Sequence, residues 1–197
     1  MSSRTSDAVF ADLVFPEASR LQNLLLVVSG SLLLALCAQV SVPLPFSPVP
    51  VTGQTFGVLL LGASLGGRRG FSALLLYLAE GAAGLPVFAP GGSPGFARLL
   101  GPTGGYLLAF PAAAFVMGWF VGRARRRFWW VGALAAQSLV LLSGAAWLEA
   151  LTGMGLGEAV RVGVVPFLPG ELVKTGLLAV CLPATGHALE RHRREKP

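Results

Sequence analysis

Four ionisable side chains that lie within apolar stretches are the residues most able to do chemistry: Glu80, Glu149, Glu171 and Lys174. If these stretches cross a membrane, each charge costs about 2.5 to 3.5 kcal/mol to insert, which makes it a candidate for ligand recognition. Glu171 and Lys174 are three residues apart and share one face of a helix. They follow a Pro-Gly pair at 169–170 that favours a helix start, where an acid is stabilised. The two side chains form either a self-neutralising structural pair or part of a binding site.

Tyr77 and Glu80 show the same three-residue spacing just before a glycine-rich segment. Glu80 therefore either lines a cavity beside Tyr77 or extends to the outer membrane interface. Glu149 lies close to Trp147 and is interpreted as an interfacial anchor, because aromatic residues are enriched at that depth.

These groups predict an outward-opening cavity for a small, partly apolar organic acid. A carboxylate of such a ligand would bind Arg98 or Lys174, since charge-assisted hydrogen bonds are the strong ones. Its N–H donors would bind Glu171 or Glu80. The side chains expected to cover its apolar body are Phe88 and Tyr106.

The composition requires a membrane setting for this chemistry. Of 197 residues, 54% are hydrophobic and 12% are charged, and the mean hydropathy is +0.70. Soluble domains carry about a quarter charged residues, so disorder and a water-soluble globule are both disfavoured. The net charge of +6 resides in short clusters between apolar runs, as in cytoplasmic loops, so nucleic-acid binding is not expected.

Six apolar segments predict an all-α integral membrane protein, a compact bundle of six transmembrane helices. They cover residues 21–40, 51–65, 71–84, 106–121, 129–151 and 164–189. A straight span needs about 20 residues, so the second and third are short and are interpreted as two embedded helices, with a re-entrant hairpin as the alternative. We predict an N-terminal cytoplasmic or interfacial segment (1–20), the six-helix substrate-binding domain (21–190) and a basic cytoplasmic tail (191–197). No cleavable signal peptide is expected.

The distribution of basic residues predicts the orientation. With six spans, 12 of the 15 Lys and Arg residues fall on one side of the membrane and only Arg98 and Arg161 on the other. Because cytoplasmic loops are enriched in Lys and Arg, both termini are expected in the cytoplasm. The outward segments are a proline-rich loop at 41–53 and a Gly/Pro-rich loop at 85–105. Such apolar irregular backbone is expected to cover a cavity, so the outer face is the predicted functional face.

Four motifs carry a family resemblance: PVPVTGQTFGVLLLGASLGGRRG (48–70), YLAEGAAGLPVF (77–88), LLGPTGGYL (99–107) and PGELVKTGL from Pro169. In order and spacing the chain resembles the BioY family, the biotin-specific S components of energy-coupling-factor (ECF) transporters. The resemblance implies a biotin pocket near the outer side, beneath the first and third loops, which are expected to be ordered. The positions that match family motifs are Gln54, Tyr77, Gly101, Pro102, Thr103, Tyr106, Glu171 and Lys174. Glu171 stands where the family more often has Asp.

The resemblance also implies how the chain works. The expected function is capture of biotin at the outer face and delivery inward, coupled to a transmembrane subunit and two ATPase subunits, in the bacterial cytoplasmic membrane with lipid around it. Glu171 would accept the ureido N–H groups while Lys174 donates to the carbonyl, or Lys174 would bind the carboxylate tail. Small residues in the first helix would dock on the coupling subunit; here Ser31 and Ala35 have that spacing, with packing inside the chain as the alternative.

Other functional classes stay open as alternatives. The sequence has no GxxxxGK[ST] phosphate loop, so ATP would be hydrolysed by partners. Neither catalytic residues nor metal ligands nor a cofactor are expected. The alternatives are an S component or small transporter for another vitamin, a membrane-embedded enzyme, and a structural assembly subunit.

Overall fold

The structure, a computed structural model, describes residues 9–123 and 128–194 as a helical bundle. Its helices are α1 (Phe10–Val14), α2 (Arg20–Gln39), α3 (Gln54–Leu65), α4 (Gly67–Ala82), α5 (Ala97–Leu100), α6 (Gly104–Arg123), α7 (Trp129–Thr152), α8 (Leu156–Gly163) and α9 (Leu168–Arg194). A 3-10 turn, Val165–Phe167, joins α8 to α9. Two short strands, β1 (Ser41–Val42) and β2 (Val51–Thr52), pair antiparallel between α2 and α3.

The helix ends follow from local chemistry. Ser19 and Gln22 form a reciprocal capping box at the start of α2, which satisfies two backbone donors of its first turn. Gly66 separates α3 from α4 with a φ of +84°, a conformation that glycine adopts without the Cβ clash of other residues. Gly153 ends α7 in the left-handed conformation.

Four helical stretches in the described part of the chain are long and apolar enough to cross a membrane: Arg20–Gln39, Gly104–Gly122, Trp129–Thr152 and Leu156–Leu182. Helix α3 has 12 residues and α4 has 16. At 1.5 Å per residue these are about 18 and 24 Å long, less than the roughly 30 Å hydrocarbon core. The predicted second segment is shorter than expected because residues 51–52 are extended, and the predicted sixth begins with a 3-10 turn.

Close backbone contacts hold α3, α4 and α6 together. A Cβ on Gly62 would lie 2.9 Å from the Met117 Cβ of α6, and one on Gly70 of α4 would lie 3.3 Å from Gly62 Cα. A Cβ on Gly118 would lie 2.7 Å from the Gly62 carbonyl oxygen. We call Gly62, Gly70 and Gly118 the glycine seam. Small residues at helix contacts let backbones approach closely in membrane proteins.

The outer helices are far less enclosed than this centre. In α6 61% of the spanning window is buried, against 22% in α2 and 17% in the stretch 156–182. Their exposed side chains are mainly aliphatic, as in Leu25 and Leu36 of α2 and Leu172 and Val180 of α9. Such surfaces suit contact with lipid chains or with another membrane protein.

The short helix α1 lies against the α3–α4 turn, at the opposite end of the bundle from the β1–β2 ladder. Val9 and Ala11 are buried, and Arg69 donates to Asp12 at 2.5 Å and to Asn23 at 2.6 Å. The predictions that rest on residues 4, 125–127 and 195–197 lie outside the described residues.

Candidate ligand-binding site

A cavity lies at the end of the bundle that carries the β1–β2 ladder and the 83–103 loop. Its volume is about 50 Å³. Its walls come from the 41–53 loop with the start of α3, the 83–103 loop, α6, α7 and the start of α9. The lining residues are Val49, Pro50, Thr52, Gln54, Thr55, Phe88, Ala89, Arg98, Thr103, Tyr106, Leu107, Phe110, Val140, Leu141, Phe167, Glu171 and Lys174. Mostly apolar walls with a few convergent polar groups are typical of small-molecule sites.

Three side chains form a compact polar cluster on one wall. Lys174 Nζ donates to Glu171 Oε1 and to Thr55 Oγ1, both at 2.6 Å, and Thr55 Oγ1 donates to Glu171 Oε1 at 2.7 Å. The side chains of Glu171 and Lys174 are 6% and 12% exposed. A buried ion pair of this kind is sustained by added hydrogen bonds, here those of Thr55. We call Thr55, Glu171 and Lys174 the polar cluster.

One atom of the polar cluster is left without a partner. Glu171 Oε2 is buried and accepts no hydrogen bond among the described residues. A buried carboxylate oxygen without a donor is costly, and native proteins contain few such groups. Because Glu171 lines the cavity and this oxygen has no donor in the described part of the chain, it is the acceptor of the polar cluster that remains available to an N–H or O–H of a ligand. Among the described residues Lys174 Nζ donates to two acceptors, so its third N–H can donate to a ligand.

Helix α7 fixes the backbone that carries Glu171. Gln137 is buried, and its Nε2 donates to the Glu171 carbonyl at 3.1 Å and to Thr175 Oγ1 at 3.0 Å. Thr175 in turn donates to the same carbonyl at 2.9 Å. These bonds attach the first turns of α9 to α7. Gln137 therefore positions the polar cluster from behind.

Gln54 links the cavity to the interior of the bundle. Its Nε2 donates to Tyr77 Oη at 2.8 Å, and Tyr77 Oη donates to the Val87 carbonyl at 3.0 Å. Thr52 Oγ1 donates to Gln54 Oε1 at 3.0 Å. The Tyr77 ring packs edge-on against Phe88, with ring centroids 5.4 Å apart. Tyr77 thus stands behind Gln54 and Phe88, which themselves line the cavity.

Arg98 lies in the loop that covers the cavity and is only 7% exposed. Its Nη2 donates to the Ala89 carbonyl at 2.9 Å. Burial lowers the pKa of the guanidinium, and the nearby Tyr77 phenol acts in the opposite direction. An arginine has five donors and stays charged in proteins, so Arg98 can offer further N–H groups to an anion.

The aromatic wall is built mainly from α6 and the 3-10 turn before α9. Tyr106 Oη donates to the Gly163 carbonyl at 2.7 Å, and its ring centroid lies 6.2 Å from that of Phe167. The polar end of Tyr106 is therefore satisfied by the backbone, which leaves the ring to provide apolar surface. Phe110 and Phe88 extend this surface.

Comparisons with known proteins show the family of this chain. A sequence profile described as the BioY family matches residues 8–191. The chain belongs to the BioY family. A probable biotin transporter BioY from Pyrococcus horikoshii is 41% identical over 143 residues, which cover 73% of this chain and 83% of that protein. The biotin transporter BioY of Rhodobacter capsulatus is 40% identical over 169 residues, covering 76% and 86%.

A solved structure has the same overall fold. It is a crystal structure at 2.1 Å of the S-component for biotin from an ECF-type ABC transporter. The TM-score is 0.71 at 26% sequence identity, with 90% of this chain and 93% of that chain covered. The BioY family membership and this likeness support a membrane protein with the S-component fold.

Most of the predicted binding residues of this BioY chain meet at the cavity. Those that line it are Gln54, Phe88, Arg98, Thr103, Tyr106, Glu171 and Lys174. Glu80 lies elsewhere: Ser31 Oγ donates to its carboxylate between α2 and α4. Tyr77 is fully buried behind the lining. Direct contact of Tyr77 or Glu80 with a ligand stays a prediction.

The proposed docking pair faces the interior of the chain. Ser31 is fully buried against Glu80, and Ala35 is partly buried against the core. This arrangement is the internal packing weighed as the alternative for their spacing. Docking through Ser31 and Ala35 stays a prediction.

Sequence reasoning missed Thr52, which lines the cavity beside Gln54, and two further polar residues of the site, Thr55 and Gln137. Thr55 directly follows Gln54 in the first motif, so its place in that motif was the available signal. Gln137 was the least visible of the three: a single amide within the apolar run of α7, whose partners are 34 and 38 residues away.

Proposed function

We propose that this protein is the biotin-binding subunit of a vitamin uptake transporter and is not an enzyme. It captures biotin in the cavity at the outer face and delivers it inward when coupled to a transmembrane subunit and two ATPase subunits. The observation that carries the proposal is the free Glu171 Oε2, held in the polar cluster. It is supported by family membership and by relatives named as biotin transporters.

The polar and apolar groups of biotin match the polar and apolar residues that line the cavity. Its ureido ring has two N–H donors and one carbonyl, and its tail ends in a carboxylate. Glu171 Oε2 accepts a ureido N–H, and the third N–H of Lys174 donates to the ureido carbonyl. A ligand carboxylate beside Glu171 would face another anion without a proton between them. The ureido end therefore binds the polar cluster, and Phe88, Tyr106 and Phe167 contact the apolar rings.

The proposed topology has six spans, two of them the short helices α3 and α4, with both termini in the cytoplasm of a bacterial cell. It is supported by the basic residues near the end of the bundle opposite the cavity, including Arg68 and Arg69. Short helices are tolerated where they are buried against other helices, and α6 packs against both α3 and α4. Lipid would cover the aliphatic outer faces of α2 and α9.

Titration calorimetry on the purified protein tests the function. We expect sub-micromolar binding of biotin, and a competition panel of other vitamins in excess should leave it unchanged. Lys174→Ala should weaken binding by several kcal/mol because it leaves the buried Glu171 uncompensated. No biotin binding would refute the proposal. Tighter binding of a different vitamin would assign the chain to an S component of another specificity.

A further inference from the structure

The cavity adjoins a larger groove that lies between the 41–53 loop and the 83–103 loop. The groove has a volume of about 480 Å³, against about 50 Å³ for the cavity. Three residues line both spaces: Pro50, Arg98 and Thr103. Glu171 and Lys174 line only the cavity, whereas Arg98 lies where the cavity and the groove meet.

The size of the cavity requires a ligand to extend beyond it. Ligand sites usually measure about 300 to 1,000 Å³, several times the volume enclosed around the polar cluster. With the ureido ring at Glu171, the ligand's acid end points towards Arg98 and the groove. This step rests on the proposed function, since it takes biotin as the ligand.

The lining of the groove is expected to accept ligand substituents of different chemistry. Most of it is proline, glycine and small side chains, among them Ser41, Ser47 and Ser93, and the described residues that line it include no carboxylate. Many of these residues are solvent-exposed, including Pro43, Gly91 and Ser93. A substituent placed there keeps contact with water and leaves no buried polar group unpaired, so its chemistry matters little. Strong discrimination between ligands is therefore expected only for the ligand groups that bind the polar cluster.

We propose that the outer groove receives substituents on the acid end of the ligand, so that the protein also binds amides of biotin with alkylamines. In these compounds the carboxylate is converted to an amide, and the added chain extends past Arg98 between the loops. Loss of the carboxylate weakens one charge-assisted bond, but the length of the added chain has little effect. The protein thus binds compounds that contain the ureido ring, and the group attached at the carboxyl end of the tail can vary.

Competition calorimetry with three ligands tests this inference. The Kd of biotin gives the reference affinity. The Kd of its primary amide shows the effect of removing the carboxylate charge, and that of its N-hexyl amide shows the effect of the added chain at the same charge. We expect the two amides to have Kd values within about threefold of each other, a difference of about 0.7 kcal/mol or less. Binding of biotin and the primary amide without binding of the N-hexyl amide would overturn the inference and leave the proposed function intact. Absence of biotin binding would instead refute the proposed function.

A variant that fills the groove provides the second readout. Ser93 is exposed and lines the groove without lining the cavity. Ser93→Trp should raise the Kd of the N-hexyl amide at least about tenfold, which corresponds to about 1.4 kcal/mol, and leave that of biotin unchanged. Ser93→Ala is the matched control and should change neither. An equal effect on both ligands, or no effect on either, would contradict occupation of the groove by the added chain.

Discussion

The prediction that tests the site most directly is Glu171→Gln. The substitution keeps the shape of the side chain and removes its charge, so Oε2 no longer offers a charged acceptor. A hydrogen bond to a charged group contributes about 1.5 to 3 kcal/mol. At 1.4 kcal/mol per factor of ten, the Kd for biotin should rise roughly 10- to 150-fold. Calorimetry on the purified variant measures this change.

The same substitution should lower the stability of the empty protein. Lys174 is 12% exposed and would keep Thr55 as a neutral partner without its counter-ion. Breaking a buried pair from one side costs about 3 to 5 kcal/mol, and the remaining hydroxyl favours the lower end. The melting temperature without ligand should fall accordingly. In Glu171→Gln/Lys174→Met the uncompensated charge is gone, so the melting temperature should recover while biotin affinity stays low.

Glu158→Gln is the matched control for this experiment. Glu158 is an exposed carboxylate on α8 that pairs with Arg161 at 2.6 Å and does not line the cavity. Its substitution should leave biotin binding unchanged. A folded Glu171→Gln variant with a Kd within threefold of the original protein would refute the assignment of Oε2 to the ligand. Recovery of affinity in the double variant would refute it equally.

Three further substitutions probe the surroundings of the site by calorimetry and thermal melting. Thr55→Val removes the hydroxyl of the polar cluster and should raise the Kd about tenfold, whereas Thr55→Ser should not; equal effects would contradict the role of the hydroxyl. Gly92→Ala places a Cβ on the Arg98 guanidinium, so it should weaken biotin binding without lowering the melting temperature, and this effect should vanish in an Arg98→Met background. Gln137→Leu leaves buried acceptors on α9 unpaired and should cost about 1 to 3 kcal/mol of stability; an unchanged melting temperature would refute its positioning role.

The sequence predicted the long helices well because their signal is local. The apolar runs at 21–40 and 129–151 match α2 and α7 to within one residue at each end. Apolar content alone could not show that residues 51–52 pair as a strand, because strand and helix residues are equally apolar there. It also could not show that the sixth segment starts with a 3-10 turn, since Pro166 permits either conformation.

The site was predicted in part for a related reason. Spacing showed that Glu171 and Lys174 share a helix face, which the ion pair in the structure confirms. The same reasoning placed Tyr77 and Glu80 together but could not say which face of α4 points to the cavity. Their actual partners, Gln54 and Ser31, are 23 and 49 residues away, and such contacts depend on how helices pack.

The glycine seam has a mechanical consequence. Where helix backbones touch without intervening side chains, α3, α4 and α6 have almost no free volume to give up, so they form a stiff wall. The opposite wall, α9, is attached near the cavity through the side chains of Thr55 and Gln137 and is far less enclosed. A ligand larger than the cavity must displace the softer side. Ligand binding is therefore expected to displace α9 and the loops rather than α3, α4 and α6. Because α9 is a long helix, a displacement at its cavity end also moves its other end.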